Sequence, residues 1–235
     1  MADERTPPRP SPTPTNGAAT HGAARGASAE KPRREGGITL AGLTTVAMDL
    51  DEAHPPGMVT EAAANAIRYI LASTKVEPDF SLESLALVDH YVTEARVEMM
   101  ERPEVLPLTA QTLGAYLGEI VRRRHACWWR IDRKDPGAWR LEFHQVYLAF
   151  YPIQVAYVCL TEEDDDTSFG GLEMPPADLD NLRDRLDRTP GVSEDLYYVP
   201  TTRLEVLDIA VDALLAQRAT RPDVARPYTA RDYAI

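Results

Sequence analysis

The sequence predicts an α+β fold, with a mainly helical domain packed around a small antiparallel β-sheet of two to three strands and preceded by a disordered N-terminal arm. Over most of the chain, apolar residues recur at spacings of three and four, which is typical of amphipathic helices. From residue 127 to about residue 151 the spacing changes to two, which is typical of half-buried strands. A hydrophobic content of 44% in 235 residues is enough for one sizeable core. We therefore expect a single α+β domain.

The two ends of the chain contain few residues that could join a core. Residues 1–37 are rich in Pro, Ala and Arg and include no Leu, Ile, Val or aromatic residue, so they predict a disordered arm. Residues 218–235 contain two prolines and little apolar content, and they predict a flexible C-terminal tail. The single domain is therefore expected to span residues 38–217.

Three apolar stripes predict three helices before the sheet. Pro55 and Pro56 precede the first helix, Ser81 is the predicted N-cap of the second, and Thr109 is the predicted N-cap of the third. The stripes are Val59, Ala63, Ala66, Ile67 and Ile70, then Leu85, Val88, Val92, Ala95 and Met99, then Leu113, Tyr116, Leu117, Ile120 and Val121.

The sheet is predicted between residues 127 and 151. Cys127, Trp129 and Ile131 share one face of a strand, and after the turn sequence RKDPG a second strand places Trp139, Leu141 and Phe143 on one face. Residues 146–151 predict a third strand or the continuation of a bent second one. The segment PIQVAYVCL that follows fits a short helix started by proline, with a strand as the alternative.

The last third of the chain again has helical spacing. One helix is predicted after Pro175 and Pro176, a short turn of helix after Ser193, and a final helix that begins with the capping box TRLE at Thr202–Glu205. Their apolar stripes are Leu179, Leu182 and Leu186 in the first of these helices, and Leu204, Leu207, Val211, Leu214 and Leu215 in the last.

The charge distribution argues against two classes of partner. The net charge is −12, and because residues 1–36 carry +2, the rest of the chain carries −14. An acidic body of this size repels nucleic acid and anionic lipid, so we expect neither as a partner. No apolar run approaches the roughly 20 residues that cross a bilayer, and the first residues lack the apolar segment of a signal peptide. We therefore expect a cytoplasmic protein.

Residue usage adds three smaller expectations. Only three of the 25 basic residues are lysine, and this bias towards arginine is typical of GC-rich bacterial genes. Cys127 and Cys159 are too few for a disulfide framework and are expected to be buried thiols.

The acidic run from Thr161 to Asp166 is contiguous rather than spaced like the ligands of a calcium loop, so we expect a solvated loop rather than a metal site.

One stretch, GAYLGEIVRRRHACWWRID at Gly114–Asp132, concentrates the candidate binding residues. Gly114 and Gly118 lie on one face of a helix and predict close contact with a neighbouring backbone. Glu119 has two interpretations, a structural i,i+4 ion pair with Arg123 or a half-buried carboxylate facing a groove. Of the two adjacent tryptophans, Trp128 is expected to point outward because Trp129 shares its face with core residues, and an outward tryptophan needs cover from a helix, a tail or a partner. The candidate binding residues are Tyr116, Glu119, Arg123, Trp128 and Trp129.

These observations favour a non-enzymatic, cytoplasmic protein-binding accessory or regulatory protein of a bacterium, with another protein as the partner. The chain has no GxSxG, P-loop or GxGxxG motif, and we assign no catalytic residue, metal or cofactor. The alternative is a hydrolase-type enzyme that uses Glu119 with His125 or His144. Convergence of Glu119, a histidine and an arginine in a concave site would favour the enzyme, and their dispersal would favour the binding protein.

The same region resembles uncharacterised bacterial families of unknown function. In those families a helix with a Tyr-Leu-Gly-Glu segment leads into a Trp-bearing hairpin and then into a helix that begins with proline. The matching positions are Tyr116, Leu117, Gly118, Glu119, Trp129 and Pro152, within residues 81–166. The resemblance implies a small cytoplasmic α+β domain and no particular chemistry.

Overall fold

A computed structural model of the chain describes residues 54–164, 170–220 and 226–234. The predicted arm at residues 1–37 lies outside the described residues, and so do residues 38–53 of the predicted domain. All described residues belong to one compact unit, Thr45–Ile235.

Two helices begin the described part of the chain, α1 at Gly57–Thr74 and α2 at Leu85–Glu101. The predicted stripe of α2 is buried, and so is that of α1 apart from Ile67, which is partly buried. The start of α2 differs from the prediction, because Ser81 lies in a turn before the helix and its hydroxyl accepts the Ser84 amide at 3.2 Å. Phe80 adopts a left-handed backbone and stacks on Tyr116 with the ring centroids 4.6 Å apart.

Helix α3, Leu106–Arg124, is the central element, and every residue from Thr112 to Val121 is buried. It begins three residues before the predicted cap at Thr109, because Pro107 occupies the first turn, where a missing amide proton costs no hydrogen bond. The Thr109 hydroxyl instead donates to the Val105 carbonyl at 3.0 Å. Because α3 is buried on all sides, the face that carries its small residues must pack closely against another element.

That element is helix α4, Pro152–Thr161, which confirms the helical interpretation of PIQVAYVCL. A Cβ atom on Gly114 would lie 2.5 Å from the Ile153 Cα, and one on Gly118 would lie 2.3 Å from the ring of Trp129. Both distances are well inside van der Waals contact. The two glycines therefore allow α4 and the sheet to pack directly against the backbone of α3.

The sheet has four antiparallel strands in the order β1-β2-β3-β4. Their bounds are Cys127–Arg130, Arg140–Phe143, Ala149–Phe150 and Leu172–Glu173. The predicted hairpin is confirmed, with Trp129 opposite Leu141, and the predicted third strand is present in shortened form. The sequence missed β4, because a two-residue strand is too short to show an alternating pattern.

The two faces of the sheet have different surroundings. The inner face packs on the helices and contributes to the main core Cys127, Trp129, Leu141, Phe143, Leu148, Phe150 and Leu172. The outer face carries Trp128, Arg130, Arg140, Glu142, Ala149 and Glu173. Two of these, Trp128 and Ala149, belong to a second, smaller and mainly aromatic cluster. The predicted alternation in β1 is thus confirmed, with Trp129 inward and Trp128 outward.

Three further helices follow the sheet, α5 at Pro176–Leu186, α6 at Glu194–Tyr197 and α7 at Pro200–Ala219. The predicted capping box lies inside α7, which begins two residues earlier. A neighbouring helix stabilises the first turn of α7. The Asp89 carboxylate of α2 accepts hydrogen bonds from the Thr201 amide at 3.0 Å and from the Thr201 hydroxyl at 2.6 Å. Burial raises the pKa of Asp89.

The prediction of a flexible tail from residue 218 is wrong for part of that segment. Arg218 and Ala219 belong to α7, and residues 226–234, here called the C-terminal segment, pack on the outer face of the sheet. Tyr233 in this segment is 5% exposed.

No described helix combines the length and the apolar composition that a membrane span requires. The fold is therefore α+β and mainly helical, as predicted, with one sheet of four strands.

Candidate functional site

Glu119 lies in a buried hydrogen-bond network and does not face a groove. It is 4% exposed, and its carboxylate accepts two bonds of 2.9 Å from the Arg122 guanidinium and one of 2.8 Å from the Trp129 indole. The predicted ion pair with Arg123 is wrong, because the partner lies at i+3 rather than i+4. Arg123 instead places its guanidinium 3.9 Å from the centroid of the Phe80 ring.

Tyr116 and Trp129, which the sequence placed beside a groove, are core residues. Tyr116 is fully buried, and its hydroxyl accepts the Phe80 amide at 3.0 Å and pairs with the Ser84 hydroxyl at 3.0 Å. Burial raises the pKa of Tyr116, so the hydroxyl remains a proton donor at neutral pH. Three of the five candidate binding residues, Tyr116, Glu119 and Trp129, therefore join α3 to its neighbours.

The two histidines of the hydrolase hypothesis lie apart from Glu119. His125 pairs with Asp208 of α7 at 2.9 Å, and Arg124 bonds the same carboxylate. Burial opposes ionisation of Asp208, but these two hydrogen bonds outweigh it and lower the pKa. His144 places Nδ1 3.2 Å from the Tyr228 carbonyl, on the outer side of the sheet. Among the described residues, Glu119 therefore does not form a dyad with either histidine.

Trp128 points outward as predicted, but it is not exposed. Only 3% of it is accessible, because Tyr233 of the C-terminal segment packs edge-on against it at a centroid distance of 5.7 Å. His144 covers another side at 4.3 Å. Of the three kinds of cover expected for Trp128, a helix, a tail or a partner, the structure shows the tail, so Trp128 is not an exposed binding residue.

Tyr233 is fixed by hydrogen bonds to the turn between β2 and β3. Its hydroxyl accepts the amides of Phe143 and Leu148, at 3.2 and 3.1 Å, and donates its proton to a carbonyl of this turn, the nearest being that of Phe143 at 2.8 Å. Its ring stacks on Tyr147 at 4.7 Å. Arg218 holds the other end of the segment through the carbonyls of Gln145 and Arg226. The C-terminal segment is thus a fixed part of the outer surface.

Next to Trp128 on the outer face, two arginines share one buried carboxylate. Arg130 and Arg140 lie directly opposite each other on β1 and β2, a placement in which like charges repel. The Glu142 carboxylate has no exposed area and accepts Arg140 at 2.9 Å and Arg130 at 3.4 Å. No sequence pattern indicates this network beyond a polar residue at an outward strand position.

A cleft lies beside this network. Its volume is ≈ 170 Å³, and it is lined by Arg140, Tyr147, Ala149, Tyr151, Glu173 and Tyr233; we call it the tyrosine cleft. The Tyr151 hydroxyl donates to the Glu173 carboxylate. Burial, and then the hydrogen bond to Glu173, raise the pKa of Tyr151 to about 12, so this donor keeps its proton at neutral pH.

Two further clefts lie near the tyrosine cleft. A space of ≈ 70 Å³ shares Tyr147 with it and is also lined by Asp178, Leu214, Gln217 and Tyr228. The same Asp178, Leu214 and Gln217 line a space of ≈ 310 Å³ between α5 and α7, together with Arg185 and Ala213. The three clefts are linked by the lining residues that they share, and together they are here called the groove. Their lining residues come from α5 and α7, from the C-terminal segment and from the outer face of the sheet.

The acidic run is partly paired within the protein. Glu162 pairs with Arg96, and Asp164 lies 3.1 Å from the guanidinium of Arg203, while Asp165 and Asp166 lie outside the described residues. No group of three or more metal-binding side chains occurs in the described part of the chain. Cys127 and Cys159 are buried thiols as predicted, and burial raises the pKa of both, that of Cys159 to about 12.

Comparison with known proteins identifies no relative of this chain. No protein-family model, curated protein or solved structure matches the chain. Inferences about function therefore depend on the geometry alone.

The Glu119 network gives a test of its structural role. We expect Glu119→Gln to lower the free energy of unfolding by about 2–3 kcal/mol. The substitution removes the charge of a buried carboxylate that accepts two hydrogen bonds from the partly exposed Arg122. Chemical denaturation measures this change. The matched control is Glu98→Gln, whose partner Arg102 is exposed, and we expect less than about 1 kcal/mol there. Equal effects of the two substitutions would contradict a special role for the buried network.

Proposed function

We propose that this chain is a cytoplasmic, protein-binding accessory or regulatory protein of a bacterium, and that it binds an extended segment of its partner in the groove. The observation that carries the proposal is the succession of three clefts on this surface, in which each shares at least one lining residue with the next. A peptide in an extended conformation advances about 3.3 Å per residue and needs a depression of this elongated kind.

The composition of the groove is consistent with a protein partner. Interfaces are enriched in tyrosine and arginine, and the groove is lined by Tyr147, Tyr151, Tyr228 and Tyr233 together with Arg140, Arg185 and Arg218. Tyrosine supplies a large contact area with few rotatable bonds and an edge that forms hydrogen bonds, so it loses little entropy on binding. Fixed aromatic walls therefore favour peptide binding in this groove.

The sizes of two of the three clefts favour side chains over a small-molecule substrate. Sites for drug-sized ligands enclose about 300–1,000 Å³ in one concave space. The tyrosine cleft holds ≈ 170 Å³ and the space beside it ≈ 70 Å³, which suits individual side chains projecting from a backbone above them. The larger ≈ 310 Å³ space lies at the other end, between two helices.

A peptide-display selection tests this function on the full-length protein. A random peptide library is selected on the wild-type chain, and each enriched peptide is then measured by isothermal titration against Ala213→Trp, which fills the cleft between α5 and α7. We expect affinity to fall by at least about tenfold, the effect of blocking one well-packed contact.

The control for this experiment comes from the same helix. Ala216 is exposed on α7 and does not line the groove, so Ala216→Trp adds an equal bulk outside the proposed site. Peptides should bind this variant as they bind the wild type. The proposal fails if no peptide is enriched, or if enriched peptides bind Ala213→Trp as tightly as Ala216→Trp.

A further inference from the structure

We infer that the partner segment bound in the groove is rich in proline and adopts the left-handed polyproline II conformation. This inference rests on the proposed peptide-binding function and names the chemistry of the bound segment. Three features of the groove support it: charges that balance, tyrosine rings that are held in place, and tyrosine hydroxyls that have no acceptor.

The charged residues of the groove favour neither an acidic nor a basic segment. Each of the three clefts is lined by one arginine and one carboxylate. These are Arg140 and Glu173 in the tyrosine cleft, Arg218 and Asp178 in the space beside it, and Arg185 and Asp178 between α5 and α7. A charged side chain would meet a like charge in every cleft, and like charges brought together at an interface are unfavourable. The balance therefore favours a segment without charged side chains.

Tyrosine rings in contact with one another provide the apolar surface of the groove. Tyr147 lines both the tyrosine cleft and the space beside it, and its ring stacks on Tyr233 at 4.7 Å and meets Tyr228 edge-on at 5.6 Å. Hydrogen bonds to the turn between β2 and β3 fix Tyr233, and the Arg218 guanidinium lies 5.1 Å from the centroid of Tyr228. Uncharged proline rings pack against aromatic side chains arranged in this way, which is how aromatic-lined grooves bind proline-rich segments.

Two tyrosine hydroxyls of the groove match the hydrogen-bonding groups of such a segment. In the part of the chain that the structure describes, no hydrogen bond joins the hydroxyl of Tyr147 or of Tyr228 to another group. Neither hydroxyl oxygen is among the buried side-chain atoms that lack a partner there, so both are open to solvent. Proline has a backbone carbonyl but no N–H, and the carbonyls of a polyproline II helix form no internal hydrogen bonds. The two hydroxyls can therefore donate to these carbonyls.

Two mirror-image peptides test the inference on the full-length chain. One is an N-acetylated, C-amidated octamer of L-proline. The other is the same octamer of D-proline, which has equal size, composition and charge but forms a helix of the opposite hand. Binding is followed by ¹H–¹⁵N NMR titration, with the amides of Tyr147, Ala149, Tyr151 and Gln217 as reporters. We expect the L-proline octamer to shift these amides and to bind at least about fivefold more tightly than its mirror image.

Protein variants assign the binding to the tyrosine hydroxyls. Tyr228→Phe keeps the ring and its contact with Arg218 but removes one donor, so it should weaken the L-proline octamer by about three- to tenfold. Tyr157→Phe removes a hydroxyl from an exposed tyrosine of α4, outside the groove, and should leave the affinity unchanged. Equal binding of the two octamers, or an affinity that Tyr228→Phe does not lower, would overturn the inference.

The proline-rich stretch of this chain itself requires a separate control. Five of the eight residues 7–14 are proline, and these residues lie outside the described part of the chain. A variant with all five replaced by alanine should leave the reporter amides at their wild-type positions, because the inferred ligand is a segment of the partner. Shifted amides would overturn the inference, because the segment in the groove would then be this chain's own arm.

The display selection separates this inference from the function on which it rests. Groove-dependent peptides without a proline-rich segment would overturn the inferred chemistry and leave the peptide-binding function standing. Failure to enrich any groove-dependent peptide would overturn the function itself.

Discussion

Gly118→Leu is expected to destabilise the fold severely. A Cβ atom at this position would lie 2.3 Å from two carbons of the Trp129 ring and 3.2 Å from the Pro152 Cγ. The ring cannot move aside without breaking the 2.8 Å bond between its indole nitrogen and Glu119. Overpacking of this severity costs several kcal/mol, a large part of the roughly 5–15 kcal/mol that stabilises a domain. Circular dichroism during heating should show a melting temperature lowered by more than about 10 °C, or no cooperative transition.

A glycine without neighbours provides the control for this substitution. Gly57 begins α1, and no atom lies within 4 Å of the position that its Cβ would occupy. Gly57→Leu should therefore melt close to the wild type. If Gly118→Leu melted together with Gly57→Leu, the close packing of α3 against Trp129 and Pro152 would be wrong.

Tyr233→Ala is expected to destabilise the protein by about 4 kcal/mol, because it deletes a buried aromatic ring and a hydroxyl bonded to backbone groups of Phe143 and Leu148. It also uncovers Trp128, whose edge-on contact with the Tyr233 ring would be lost. Chemical denaturation measures the first effect. Iodide quenching of tryptophan fluorescence measures the second, and quenching should increase.

Two further substitutions separate the ring from the hydroxyl. Tyr233→Phe keeps the stack on Tyr147 and loses only the hydrogen bonds, so about 1–3 kcal/mol is expected. Tyr157→Ala removes an exposed tyrosine from α4 and should change stability by less than about 1 kcal/mol. A Tyr233→Ala protein with wild-type stability and unchanged quenching would show that the C-terminal segment does not stay on the sheet.

The sequence predicted the helices and the first hairpin because their signals are local. Val88, Val92 and Met99 repeat with the helical period and are all buried, and the alternation of Cys127 and Trp129 identified the inner face of β1. The partner of Glu119 could not be predicted in the same way. On a helix, i+3 and i+4 are both within reach, and the contacts that distinguish the two arginines are not local: Arg123 lies on the Phe80 ring, and the Glu119 carboxylate also accepts the Trp129 indole from a strand ten residues away.

The outer face could not be predicted because its contacts span long distances in the chain. Tyr233 covers Trp128 from a segment too short to show any periodicity, and it reaches a turn 85–90 residues earlier. Glu142 occupies an outward strand position that usually faces water, yet two arginines and the neighbouring aromatic cluster enclose it. The groove is formed by such contacts, which explains why the sequence placed the candidate site on α3 instead.

The contact between Gly118 and Trp129 also restricts how related sequences can vary. Because the indole fills the space that a side chain at position 118 would need, any residue larger than glycine there requires a smaller one at 129. Loss of the indole removes one hydrogen-bond donor to Glu119, so a buried carboxylate at position 119 becomes less favourable. Substitutions at 118, 119 and 129 should therefore occur together during evolution. Descendants of a common ancestor that keep this packing should be recognisable by the joint presence of glycine, glutamate and tryptophan at this spacing.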